Sequence, residues 1–156
     1  MTSFRLVGLS HEPFAPLFDL SDSSLSEINM HRVVATRNPG YPCRVSLADA
    51  EIGEELLLLP FEHQPASSPY KASGPIFVRK AAVQVSMKPG EIPIYISSRL
   101  MSVRAYDEGH LMTDAMVCAG SEAASVILKM FGADDVAYVH LHNANRGCFS
   151  CRVDRA

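Results

Sequence analysis

The sequence contains no tryptophan, and it has no apolar run approaching the ~18 residues that a membrane-crossing helix needs. Neither G-x-x-x-x-G-K-[ST] nor G-x-G-x-x-G occurs, which removes the phosphate-cradling loops of the common nucleotide folds. H-E-x-x-H and G-x-S-x-G are missing too, so a zinc-peptidase helix and a hydrolase nucleophile elbow have no support. Excess positive charge is also lacking. A formal net charge of -3 argues against binding nucleic acid through phosphate contacts. No internal repeat, low-complexity run or linker interrupts the chain. The opening residues Met1-Thr-Ser-Phe-Arg-Leu-Val-Gly-Leu lack the apolar core of a secretory signal, so a cytoplasmic location is expected, with no membrane partner. Cys43, Cys118, Cys148 and Cys151 are then free thiols, available for packing, metal or catalysis.

What remains is ordinary globular material. With 156 residues, 47% hydrophobic and 20% charged, the chain suits one domain whose core needs no disulfide. Phe4–Leu9 reads as a first strand. Ser21 is the expected N-cap of a helix reaching about Met30, with Leu20 and Leu25 as its hydrophobic staple. A strand follows over His31–Thr36, then a turn at Asn38-Pro39-Gly40. Leu56–Leu59 is too short for most helices and follows Gly53, which predicts a strand buried on both faces and ending at Pro60. Pro65–Pro75 reads as a long loop and Ile76–Arg79 as a short strand, while Ile92–Ser98 fits strand or helix equally. Leu100–Tyr106 and Leu111–Cys118 form a hairpin of open register. Ser121 is expected to cap the clearest helix, whose apolar positions Ala123, Val126, Ile127, Met130 and Phe131 share one face, and Gly132 ends it. The expectation is an α+β domain, a largely antiparallel sheet with two helices on one face.

The most informative segment is Val136–Arg152. It concentrates two His, two Cys, two Asn and two Arg while alternating like a β-hairpin. Pairing Val136–His142 with Cys148–Asp154 around the loop Asn143–Gly147 sets His142 opposite Cys148 and Leu141 opposite Phe149. Val139 then opposes Cys151. One face becomes apolar (Ala137, Val139, Leu141, Phe149, Cys151, Val153) and the other carries Tyr138, His140, His142, Cys148, Ser150 and Arg152. Three readings of that second face stand side by side. His142 beside Cys148, with Arg146 and Arg152 near, suits an activated thiol. His140 and His142 project to one side as metal ligands must, with Cys148 as a third and His63 or Cys43 arriving from elsewhere. Or the face is a polar surface satisfied by hydrogen bonds.

Other residues bear on the choice. Cys43-Arg44 follows Pro39 and Pro42, so its thiol is expected either in a stiff, exposed loop beside a fixed positive charge or half-buried in a turn. Glu62-His63-Gln64-Pro65 leaves a buried strand, where loop residues are often functional; a His with an adjacent Glu suits a general base there, and equally a bond to a backbone carbonyl at the loop edge. Arginine supplies most of the positive charge. Arg79 and Arg104 lie within apolar strands and need anionic partners, Asp114 being the structural candidate for Arg104. Asn143-Ala-Asn-Arg146-Gly147 can present amides and a guanidinium to a ligand, although Asn and Gly also suit the turn itself.

Gly40-Tyr-Pro-Cys-Arg-Val-Ser46, Glu62-His-Gln-Pro65, Ser68-Pro-Tyr-Lys-Ala-Ser-Gly-Pro-Ile-Phe-Val-Arg79, Arg104-Ala-Tyr-Asp107 and His140-x-His-Asn143 with Arg146-Gly-Cys148 together resemble domain-of-unknown-function family 1203. The resemblance runs from Phe4 to Arg155. It implies a bacterial, cytoplasmic, single-domain protein, and it carries over no activity, cofactor or catalytic role.

The expectation is therefore one polar pocket for a small anionic ligand. Arg44, Gln64, Arg79, Arg104, Asn143 and Arg146 are its candidate binding residues. If chemistry occurs there, Cys43 or Cys148 is the nucleophile and His63 or His142 the base. The alternatives are a metal-binding protein using His and Cys, and a non-catalytic structural or protein-interaction module.

Overall fold

The computed structural model describes residues 2–156; Met1 of the expected single domain lies outside them. In chain order the elements are β1 (Phe4–Val7), a 3-10 turn (Ala15–Asp19), α1 (Asp22–Glu27), β2 (His31–Val34), β3 (Pro42–Cys43), β4 (Ala48–Asp49), β5 (Glu55–Gln64) and β6 (Ala72–Arg79). They continue with α2 (Ile94–Ser97), β7 (Leu100–Tyr106), β8 (Met112–Ala119), a 3-10 turn (Gly120–Glu122), α3 (Ala123–Phe131), β9 (Tyr138–Asn143) and β10 (Phe149–Arg155). The arrangement is α+β and dominated by antiparallel strands. It corrects the sequence reading in two ways. There are two five-stranded sheets, ordered β1-β10-β9-β7-β8 and β2-β5-β6-β3-β4, and three short helices instead of two. Ile92–Ser98 resolves as a coil leading into α2.

The first sheet has an apolar face and a polar face, because strand side chains alternate. Met101, Val103, Ala105, Val139, Leu141, Cys151 and Val153 turn to one side and pack with Ala123, Ile127, Met130 and Phe131 of α3. The helical periodicity read from the sequence thus marks the face that α3 buries. Its capping does not follow the expectation. Ser121 falls inside the 3-10 turn, and Glu122 precedes the helix without a side-chain cap. The Ser21 cap does form, its hydroxyl accepting from the Ser24 amide at 3.1 Å.

In the second sheet Leu57 and Leu59 join a core with Cys43, Val45, Ile76 and Val78, while Leu56 packs with Ala35 and Ala50 on the other side. The leucine run is buried on both faces, as its composition predicts. It does not end at Pro60. β5 continues to Gln64, and β6 begins at Ala72 within the expected loop. Proline costs little there because β2 pairs with β5 only from Glu55 to Leu58, and across the strand Pro60 faces Pro75. A register shift between Phe61 and Gln64 follows. This extension brings Phe61, His63 and Gln64 against the polar face of the first sheet.

Between the sheets and the helices, Gly120 is confined. A Cβ there would collide with the carbonyl oxygens of Ile96 and Arg99. Gly120→Ala is expected to cost about 1–3 kcal/mol of stability through this overpacking, read as a lower urea midpoint with an unchanged slope.

Candidate functional site

The polar face of the first sheet is built by register. β7 pairs with β9 so that Tyr106 opposes Tyr138, Arg104 opposes His140 and Ser102 opposes His142. Across β9, Arg152 of β10 also opposes His140. Near the hairpin tip the expected pairing fails. Phe149, not Cys148, faces His142, and Cys151 faces Leu141, because a β-bulge intervenes between Phe149 and Cys151. One extra residue in a strand reverses the alternation beyond it, so Phe149 leaves the apolar face and joins the histidines. Cys151 stays in the core, as expected.

His63 completes the group from β5. Its ring stacks on Phe149 with centroids 5.4 Å apart and planes 6° from parallel. The His63 and His142 rings meet edge to face at 4.9 Å. His140 is 6.4 Å from His63 and lies against Tyr106 and Tyr138, at 5.0 and 5.3 Å. One ring nitrogen from each of His63, His140 and His142 falls within 4.8 Å of the other two. His140 and His142 are 3% and 1% exposed; His63 is half-buried.

Hydrogen bonding leaves these rings unfinished. His142 Nδ1 lies 2.9 Å from the Gly147 carbonyl, which can only accept, so Nδ1 carries the proton and Nε2 a lone pair. That Nε2 is buried without a partner, as are Nδ1 of His63 and Nδ1 of His140. Buried polar atoms normally find partners, so three such nitrogens in one cluster are unusual.

The electrostatics keep the rings neutral. Burial pushes His140 down to about 3, and His142, His63, Arg152 and Arg104 push the same way. Burial brings His142 to about 4, opposed by its bond to Gly147 and assisted by Arg104, His63 and Arg44. His63 is also lowered, by burial first and then by Arg104. Each imidazole therefore offers a lone pair at neutral pH. Arg104 stands beside the cluster with its Nε on Ser102 and no carboxylate partner; the expected Asp114 opposes Ala105 instead and forms no ion pair.

The other sequence candidates are distributed differently. Cys43 is fully buried, its sulfur accepting from the Arg79 amide at 3.3 Å, because the strand β3 beside β6 turns that side chain into the core. It is not the exposed thiol that its prolines suggested. Arg79 is held by Glu54 through two bonds of 2.6 and 2.7 Å, and is not free for a ligand. Gln64 is buried and donates to the Tyr138 hydroxyl, which also meets His110 Nδ1. The Cys148 thiol makes no hydrogen bond with a histidine among the described residues; it donates to the Arg146 carbonyl, at 4.0 Å. Arg44, Asn143, Arg146 and Cys148 do converge, but in a cleft that no histidine lines. The expected single pocket is thus two places, a histidine cluster and an arginine-rich cleft. His140, central to the cluster, belonged to the metal alternative only. Its signal was the His140-x-His142 spacing on a strand.

A two-sheet α+β chain with a buried histidine cluster is the class that these features define. The chain belongs to the family described as "Protein of unknown function (DUF1203)", whose pattern matches residues 40–155. That span holds both the cluster and nearly all of the second sheet. No curated protein and no solved structure matches the chain.

Neutral buried histidines give stability a definite pH dependence. An unfolded His takes up a proton below about pH 6.5, whereas His140 and His142 resist until about 3 and about 4. Their contribution is fully present above pH ~6.5 and is lost as pH falls toward those values. Stability in a chelator should drop between about pH 6.5 and 4.5 by about 1.4 kcal/mol per pH unit for each ring. Urea titrations of the wild type and His140→Gln check this, the variant showing the shallower slope.

Proposed function

We propose that the protein binds a divalent transition-metal ion of zinc's ligand preference through His63, His140 and His142. The observation that carries this reading is the convergence of two buried rings and one half-buried ring, each with a buried nitrogen that has no partner among the described residues. Imidazole nitrogens suit zinc and its first-row neighbours, and a metal ion is the one partner that satisfies three inward lone pairs together. The bond from His142 Nδ1 to the Gly147 carbonyl is the outer contact that usually fixes a ligand's tautomer and ring orientation. Phe149 and Tyr106 supply an apolar wall that strengthens the attraction between ion and ligands. A purely structural polar network fits less well, since such networks close their own hydrogen bonds.

Three protein ligands leave a tetrahedral ion one position for water or an exogenous group. Arg104, unpaired with any carboxylate and facing the cluster across β7 and β9, favours an anionic occupant of that position. The chemistry such a centre supports is polarisation of a bound oxygen or lowering of a bound water's pKa.

Protein purified without a histidine tag should contain about one equivalent of metal per chain by elemental analysis. After stripping, cobalt(II) should restore one equivalent with the visible absorption of a low-symmetry site. His63→Gln changes a half-buried residue and leaves both β9 histidines in place, so it should fold and still weaken cobalt binding at least ~100-fold, more than loss of an outer-sphere contact does. Folded protein that takes up neither zinc nor cobalt saturably, or a variant that binds as the wild type does, removes this reading.

A further inference from the structure

The cleft at the hairpin tip carries a charge imbalance that the fold leaves uncompensated. It encloses about 760 Å³ and is bordered by Arg37, Arg44, Arg99 and Arg146, with no Asp or Glu among its lining residues. Only Arg99 is neutralised, by both carboxylate oxygens of Asp49. Ion pairs among the described residues engage Arg32, Arg79, Lys80, Arg99 and Arg152, and none reaches the other three cleft arginines.

Arg44 is the telling member. It is 2% exposed, and it donates to the carbonyls of Phe149, at 2.8 Å, and Pro42. Hydrogen bonds to neutral oxygens engage its Nε and Nη1 but leave the charge without a counter-charge. A guanidinium taken out of water in this way is costly unless an anion approaches it. Arg37 and Arg146 are exposed at the same cleft. Arg37 lies close over Gly40, where any side chain would collide with it. The rest of the wall sets Ser98, Asn143 and Asn145 beside apolar residues that include Tyr41 and Phe77, with ring centroids 5.4 Å apart.

We infer that this cleft is a second binding site, for an organic phosphate whose dianionic head meets Arg37, Arg44 and Arg146 and whose flat apolar body lies against Tyr41 and Phe77. Three unneutralised guanidiniums favour a dianion over a monoanion, and the planar fork of arginine matches the oxygens of a phosphate. The aromatic wall and the volume suit a small molecule larger than inorganic phosphate. The cleft shares no lining residue with the histidine cluster.

Cys148 reports on this site without a known ligand. It is half-exposed in the cleft wall, while Cys43, Cys118 and Cys151 are buried, so alkylation of the folded protein should fall on Cys148 alone. Iodoacetate and iodoacetamide attack the same thiolate, and the ratio of their rates cancels the intrinsic reactivity of the thiol. An arginine-rich cleft should raise the iodoacetate/iodoacetamide ratio about tenfold over that of the urea-unfolded protein, and about 0.5 M salt should abolish the gain. Phenyl phosphate should protect Cys148 saturably, whereas phenol should not. Arg37→Gln and Arg146→Gln, both at exposed positions, should each lower the ratio and weaken the protection severalfold. Equal ratios in folded and unfolded protein, protection by phenol as strong as by phenyl phosphate, or variants that behave as wild type would overturn the inference. Benzoate protecting as well as phenyl phosphate would overturn the dianion assignment.

Discussion

Arg44 reaches from the end of β3 in one sheet to the Phe149 carbonyl at the start of β10 in the other. A β-bulge disturbs the hydrogen-bond ladder of its strand, and the main-chain groups that lose ladder partners need others. Arg44 supplies a donor on one side of this bulge, and the Tyr95 hydroxyl donates to the Ser150 carbonyl on the other, at 3.1 Å. With the bulge held, Phe149 turns to the histidines and stacks on His63, while Cys148 is left in the cleft wall. Replace that charged donor and both arrangements lose the geometry that defines them. Arg44 thus fastens the two sheets at the bulge.

Alternation was legible in the sequence wherever the strand stayed regular. Tyr138, His140 and His142 separate from Val139 and Leu141 by period two alone, and that separation survives in the structure. The same reasoning failed for the face of Phe149 and for the cross-strand pairs, because a bulge inserts a residue without any mark in local composition, while Cys151 and Val153 keep the face expected of them. Pro60 misled for a related reason. Proline ends a strand that is paired on both sides, but nothing nearby reveals that β2 stops pairing at Leu58. Cys43 read as exposed because prolines imply a loop, whereas its neighbour in space is β6, whose pairing with β3 only tertiary structure defines. The three-histidine cluster was half visible. Two members sit on one strand, and the third arrives through the β5 extension that the proline argument had cut short.

Both candidate sites draw on the segment His140–Cys148, and they use it in opposite senses. One is an arrangement of lone pairs that attracts a cation; the other is an arrangement of guanidiniums that attracts an anion. The short loop between the strands lets them coexist, because the peptide at Gly147 accepts from His142 while Arg146 and Cys148 on either side of it face the cleft. Gly147 itself has φ 78°, a left-handed conformation that a side chain would strain.

The pairing of β1 with β10 has a consequence for how this chain reaches its native state. Phe4 lies opposite Arg155 and Val7 opposite Arg152, so an edge of the first sheet is closed by segments from opposite ends of the described chain. The second sheet needs only β2 to β6 and can assemble from contacts among residues close in sequence. Loop closure between distant segments is entropically late and slows folding. During synthesis, β1 therefore has only the segment after β6 to bond to, through the Met87 and Gly90 amides on the Leu6 and Phe4 carbonyls, until β10 closes its other side.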